Sequence, residues 1–170
     1  MASTYTLIQS QVLASTPTVV TFSSIPSTYT DLILTISARD TATGVLYSSI
    51  TATFDNTSSV YSRTDLIASG STASSSRASV AYFYVDYPGS NAGVAANTFG
   101  SAEVYIPNYA GSANKPFSLT SIVENNSATV NEILTSAGYY RSGAIATITL
   151  TAAANYSSGS SFYLYGISNA

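Results

Sequence analysis

Along most of this chain apolar residues alternate with Ser, Thr and Asn, the period of two expected of strands that turn one face to a core. The pattern predicts strands over Tyr5–Leu13, Val19–Phe22, Thr30–Ala38, Leu46–Phe54, Val80–Val85, Ala102–Ile106, Phe117–Val123, Ala144–Thr151 and Phe162–Ile167. In Thr30–Ala38 the core face is Leu32, Leu34 and Ile36. In Val80–Val85 both faces are apolar, which predicts cover on both sides. Helical spacing competes only in Thr129–Tyr140, through Val130, Ile133, Leu134 and Ala137, and there the strand reading is preferred. Between these runs, Asn56–Arg77 is too poor in large apolar residues to fold alone, so it reads as an elaborated loop on a β-scaffold.

About nine or ten short strands at sandwich-like spacing predict an all-β fold, an antiparallel β-sandwich of the jelly-roll kind. No repeat period points to a propeller or solenoid. The expected organisation is an N-terminal strand or attachment arm over residues 1–17 and a single jelly-roll domain over 18–170, a length suited to one core.

Composition then narrows the function. Only 8% of residues are charged, against roughly 25% in ordinary soluble chains, so hydroxyls and amides must carry the solubility. The five bases, Arg39, Arg63, Arg77, Lys115 and Arg141, are scattered singly and form no stripe for phosphates, which argues against a nucleic-acid partner. No apolar run approaches the ~18 residues of a membrane helix, and the first residues lack the pattern of a secretory signal. The sequons at Asn56, Asn125 and Asn155 are expected by chance in a chain of this composition.

Histidine and cysteine are absent, which removes the Ser-His-Asp arrangement, imidazole and thiolate metal sites, and disulfides. Carboxylates remain. Glu103 with Glu124, or Asp55 with Asp65, are the pairs a glycosidase would need, but isolated acids in such a chain read first as solubilising surface groups. Asp55, Asn56 and Asp65 could offer oxygens to calcium, yet their spacing matches no cation loop. The expectation is no enzyme, no cofactor and no metal. Tyrosine is the informative residue, present fourteen times without tryptophan; its apolar ring and polar tip suit both protein contacts and sugar-binding faces. The interface candidates are Tyr5, Tyr82, Tyr84, Tyr87, Tyr105, Tyr109, Tyr139, Tyr140, Tyr163 and Tyr165.

Three stretches carry a resemblance: VVTFSSIPSTYTDLILTISAR from Val19, FDNTSSVYSRTDLIASGSTASSS from Phe54, and the closing ITLTAAANYSSGSSFYLYGI ending at Ile167. Together they resemble a group of small virion structural proteins of tailed bacteriophages, common in those of cyanobacteria and other aquatic hosts. The resemblance implies a jelly-roll virion component, usually trimeric, on the capsid exterior or in the tail fibres. The first expectation is therefore a capsid decoration (cement) protein that forms a homotrimer and binds the major capsid protein, with Ala2–Pro17 as attachment arm. A fibre-tip or receptor-binding module, gripping host-surface glycan through Tyr61, Tyr87 and Asn91, is the alternative. A glycan-cleaving enzyme using a carboxylate pair is the third.

Overall fold

The computed structural model describes residues 4–43, 48–69, 71–86, 96–124, 130–139, 141 and 143–168. Twelve strands are assigned among them: β1 (Tyr5–Val12), β2 (Val19–Phe22), β3 (Asp31–Ala38), β4 (Ile50–Phe54), β5 (Tyr61–Ser69), β6 (Thr72–Val80), β7 (Phe83–Asp86), β8 (Gly100–Ile106), β9 (Lys115–Glu124), β10 (Val130–Tyr139), β11 (Ile148–Ala152) and β12 (Ser161–Ile167). The fold is all-β and every pairing between these strands is antiparallel. An eight-stranded sheet runs β1-β12-β3-β8-β9-β10-β5-β6 and a four-stranded sheet runs β2-β11-β4-β7.

The two sheets enclose one core, in a β-sandwich-like arrangement. Leu32, Leu34 and Ile36 of β3, Val104 and Ile106 of β8, and Phe162 and Leu164 of β12 face Val20, Phe22, Ile50, Phe54, Ile148 and Leu150 of the smaller sheet, all buried. Alternation is what makes this possible, because a strand places every second side chain on the same face. At one end the rings of Phe54, Tyr61, Phe83, Phe117 and Tyr139 interlock, Phe54 lying 5.0 Å from Phe83 and 5.3 Å from Tyr139 between centroids. Aromatic pairs in such tilted and edge-on geometry add to the area they bury. The turn after β4 reverses the chain through Asp55 and Asn56, at φ of 50° and 53°, a left-handed conformation that Asp and Asn tolerate best after glycine.

Several expectations change. Asn56–Arg77 is not a loop throughout: β5 and β6 form a hairpin of two nine-residue strands. Its register to β10 runs unbroken from Tyr61↔Tyr139 to Ser69↔Asn131. A ladder to a distant strand supplies what the local apolar content lacks. Val80–Val85 is two strands, since the chain leaves the wide sheet after Val80 and enters the small one at Phe83. Phe83 and Val85 are buried but Tyr82 is 42% exposed, so that segment is not covered on both faces. The fourth predicted strand begins at Ile50, and Leu46 lies outside the described residues.

Other expectations hold. Val130–Tyr139 is a strand. Tyr5–Val12 is a strand, and it pairs with β12 from Tyr5↔Ile167 to Val12↔Ser161. Pro116 sits inside β9 without breaking the sheet, because the β8 ladder ends at Tyr105↔Ser118 and leaves no neighbour on that side needing its missing N–H.

Candidate functional site

The register aligns an uncharged row across the outer face of the wide sheet. Leu7 stands opposite Tyr165, Tyr165 opposite Ile33, Ile33 opposite Tyr105, and Tyr105 opposite Ser118. Tyr5 and Leu7 are 56% and 49% exposed, while Ile33, Tyr105, Tyr163 and Tyr165 are half-buried by their neighbours. The acid under this row is hydrogen-bonded within the fold: Asp31 accepts from the Tyr105 hydroxyl at 2.9 Å and from the Asn108 N–H at 2.8 Å. That bond to Asp31, with some burial, raises the Tyr105 pKa and keeps the phenol a neutral donor.

In the next rows small side chains leave a shallow depression of about 270 Å³, bounded by Thr35, Ser37, Ser101 and Ser161 with Tyr163 at one side and Glu103 at the other. On the smaller sheet Val19, Thr21, Thr51, Thr53, Thr149 and Thr151 occupy outward positions, with Tyr84 on the edge strand. Arg63 lies over the Tyr84 ring, 4.3 Å from its centroid. Burial raises the Tyr84 pKa, as does its neighbour Tyr82.

The described charges mostly face inward. Asp55 Oδ1 accepts from the N–H groups of Ala146 and Thr147 at 2.8 and 2.9 Å, fixing the turn after β4 to the strand that follows Ile145. Lys115, 2% exposed, donates to the carbonyls of Gly111, Ala113 and Arg141 at 2.9, 2.9 and 3.3 Å. Its burial lowers its pKa, against the pull of Asp55. Asp65 accepts from the Ser76 hydroxyl at 3.0 Å. Arg63 Nε stands 3.3 Å from the same carboxylate, near enough for charge attraction though its N–H is aimed elsewhere. Asp40 is fully buried; its Oδ1 accepts from the Ala42 N–H at 3.0 Å and Oδ2 has no partner among the described residues. Burial raises the Asp40 pKa, opposed by Ser48, Ala42 and the Arg39 charge. Four of the eight acids thus serve the fold, which corrects the expectation that they are surface solubilisers.

The predicted pairs do not converge. Asp55 and Asp65 are each engaged with separate backbone or side-chain donors. Glu103 faces solvent opposite Thr120. Glu124 ends β9, and four residues at ~3.4 Å plus one strand spacing separate its backbone from Glu103 by about 14 Å. Among the described residues no three His, Cys, Asp or Glu side chains gather as a metal site.

The tyrosines divide. Tyr5, Tyr82, Tyr84, Tyr105, Tyr163 and Tyr165 reach the surface. Tyr109 and Tyr139 are 0% and 2% exposed and belong to the core, as does Tyr61 from the glycan-binding expectation; their rings fill space between sheets and their hydroxyls bond inside. The Tyr109 hydroxyl donates to the Pro26 carbonyl, and that of Tyr61 accepts from the Phe54 N–H at 2.7 Å. Tyr87, Tyr140 and Asn91 lie outside the described residues. Leu7 and Ile33 join the surface row although they were not singled out in the sequence; the alternation of β1 and β3 was the signal that could have found them. No family model, curated protein or solved structure matches this chain.

Proposed function

We propose that this chain is a structural component of a tailed-phage virion, a capsid decoration protein that stabilises the shell by binding the major capsid protein. The observation that carries the reading is where charge is spent: Asp31, Asp40, Asp55, Asp65 and Lys115 are committed to internal bonds, while the described outer faces carry mainly hydroxyls, tyrosines and isolated aliphatics, with Glu103 and Arg77 as scattered charges. Such a surface gives up little hydration when it is covered, as a permanent assembly contact requires. The row of Leu7, Tyr165, Ile33 and Tyr105, flanked by Tyr5, is the contact, within a homotrimer or against the shell.

The finer fold reading belongs to the same proposal. Leaving aside the hairpins β5–β6 and β9–β10, the chain alternates between sheets at every step but β4 to β7, which share the small sheet, and the remaining orders are β1-β12-β3-β8 and β2-β11-β4-β7. We read these orders as the winding of a jelly roll, with two inserted hairpins widening one sheet. The phage resemblance supports the virion assignment. A glycan-binding fibre module is the second reading, favoured by the depression between Tyr163 and Glu103, where a ring could meet one aromatic face and several hydroxyls.

The test is electron cryomicroscopy of particles assembled with and without the tagged chain. Density on the shell surface, and particles that fall apart at lower temperature without it, are the expected result. Density only at tail tips would transfer the proposal to the second reading. Attachment should hardly change between low and high ionic strength, because few ions are there to be screened.

A further inference from the structure

We propose that β6 is a receiving edge, which adds an extended, acidic strand of a partner polypeptide to the eight-stranded sheet and seats a carboxylate of that strand beside Arg77. The four sheet edges are not equivalent. β1 carries a register shift between Leu7 and Gln9, and its glutamines reach across to the small sheet, Gln9 Nε2 donating to the Ser23 carbonyl at 2.6 Å and Gln11 Nε2 to that of Thr21 at 2.8 Å. These bonds bridge β1 to β2 and occupy carbonyls along that side. β7, at the far edge of the small sheet, is four residues long and meets β4 with a register shift. Short, bulged or bridged edges resist strand addition.

β6 has none of these devices. It is nine residues long, exposed from Thr72 to Arg77, free of proline, and paired to β5 without a register shift from Tyr61↔Val80 to Ser69↔Thr72. About four or five of its residues direct N–H and C=O groups away from β5, ready for another ladder. Its side chains are small, so an incoming backbone meets no steric wall.

Charge selects the occupant. Arg77 is exposed and has no ion-pair partner among the described residues, and it borders a depression of about 460 Å³ with Ser62, Arg63, Thr64, Ala78 and Ser79. By register Ser62, Thr64, Arg77 and Ser79 share one face, while Arg63 and Asp65 share the opposite face with Tyr61. The outer side of the hairpin is thus a cationic, hydroxyl-rich spot on a chain of net charge -3, and guanidinium with hydroxyl donors suits a carboxylate. A second copy fits worse: antiparallel self-pairing centred on Ser76 leaves the two Arg77 side chains diagonal on one face, at roughly 7–8 Å, where like charges repel. The edge would take such a strand whether or not the chain sits on a virion.

The probe is a nine-residue synthetic peptide of alternating threonine and valine with one central aspartate, together with a twin carrying lysine there. Both are titrated into the isotope-labelled full chain, with amide exchange followed by NMR. Expected are slowed exchange of β6 amides with the aspartate peptide, affinity roughly threefold weaker in Arg77→Gln, and a reversed preference, for the lysine peptide, in Arg77→Glu. Unaltered β6 amides at millimolar peptide, or equal affinity of both peptides for the native chain and Arg77→Glu, would overturn the proposal. So would β6 amides already protected in a chain that sediments as a dimer, since the occupant would then be a second copy.

Discussion

Replacing Tyr61 by Phe tests whether the aromatic end of the core is fastened by hydrogen bonding or by ring packing alone. The ring is 2% exposed and lies 5.3 Å from Tyr139 and 5.5 Å from Phe83, contacts that a phenyl ring preserves. The hydroxyl accepts from the Phe54 N–H at 2.7 Å, at the last residue of β4, just before the left-handed turn at Asp55 and Asn56. Without it that buried N–H has no acceptor among the described residues, a loss of about 1–3 kcal/mol. In a domain of 170 residues each kcal/mol lowers Tm by about 2–4 °C, so the shift expected of Tyr61→Phe is roughly 2–12 °C. Urea unfolding followed by tyrosine fluorescence measures it, with an unchanged m-value as the sign that only native-state stability moved. Tyr82→Phe, at a position 42% exposed, is the control and should stay within about 0.5 kcal/mol. If the two variants are equally stable, the hydroxyl of Tyr61 is not fastening the β4 turn and the argument fails.

Lys115→Met keeps the length of the buried stem but removes the donor shared by the Gly111, Ala113 and Arg141 carbonyls; a loss of about 2–4 kcal/mol in urea unfolding is expected, and none would mean that these carbonyls find other donors. Gly166→Ala places a methyl 2.3 Å from the Tyr29 ring, closer than any rotamer relieves without moving the ring, and should cost about 1–3 kcal/mol. The pH profile should be unusual at both ends. Burial raises the Asp40 pKa, so its contribution is fully present below 3.8 and lost as pH rises through the folded-state value; stability from this group therefore grows on acidification, and Asp40→Asn should flatten that limb. Burial also raises the pKa of Tyr61, Tyr109 and Tyr139, whose contribution is present below 10.0 and lost as pH climbs past it, so unfolding scans between pH 9 and 12 should show a falling Tm together with late phenolate absorbance.

The parts of the fold that were legible in the sequence are the strands with a one-sided apolar face. Leu32, Leu34 and Ile36, or Ala102, Val104 and Ile106, announce their burial because they recur at every second position, with Thr35, Ser37, Ser101 and Glu103 among the residues that alternate with them. The β5–β6 hairpin was not legible, since Thr64 to Val80 contains only Leu66, Ile67 and Val80 as large aliphatics. Its strand character comes from pairing with β10, more than sixty positions later in the chain for every matched residue. A local clue existed in Ser69-Gly70, a turn dipeptide between two runs of equal length. Tyrosine roles were half legible, because Tyr alternates equally well as core filler and as surface residue. The acids were the least legible: Asp55 capping two amides and Glu103 facing water both sit among Thr, Ser and small apolar residues, and only tertiary contact tells them apart.

That placement of charge has a kinetic consequence. Covering hydroxyls and tyrosines costs little desolvation compared with burying ions, so an association through the Leu7–Tyr165–Ile33–Tyr105 row would be limited by area and fit and not by ion pairing. The same lack of charge removes long-range steering, and encounter would proceed at the neutral rate of about 10⁵–10⁶ M⁻¹s⁻¹ with little response to salt. Affinity in such a contact has to come from slow release. Arg77 is one of the few charges on the described surface, with Glu103 and Arg141, and it stands on the edge strand where backbone hydrogen bonds, which need no charge, can supply most of the holding. A lone cation there adds little energy but fixes which side chain of an incoming strand sits beside it, setting register where the small side chains of β6 set none.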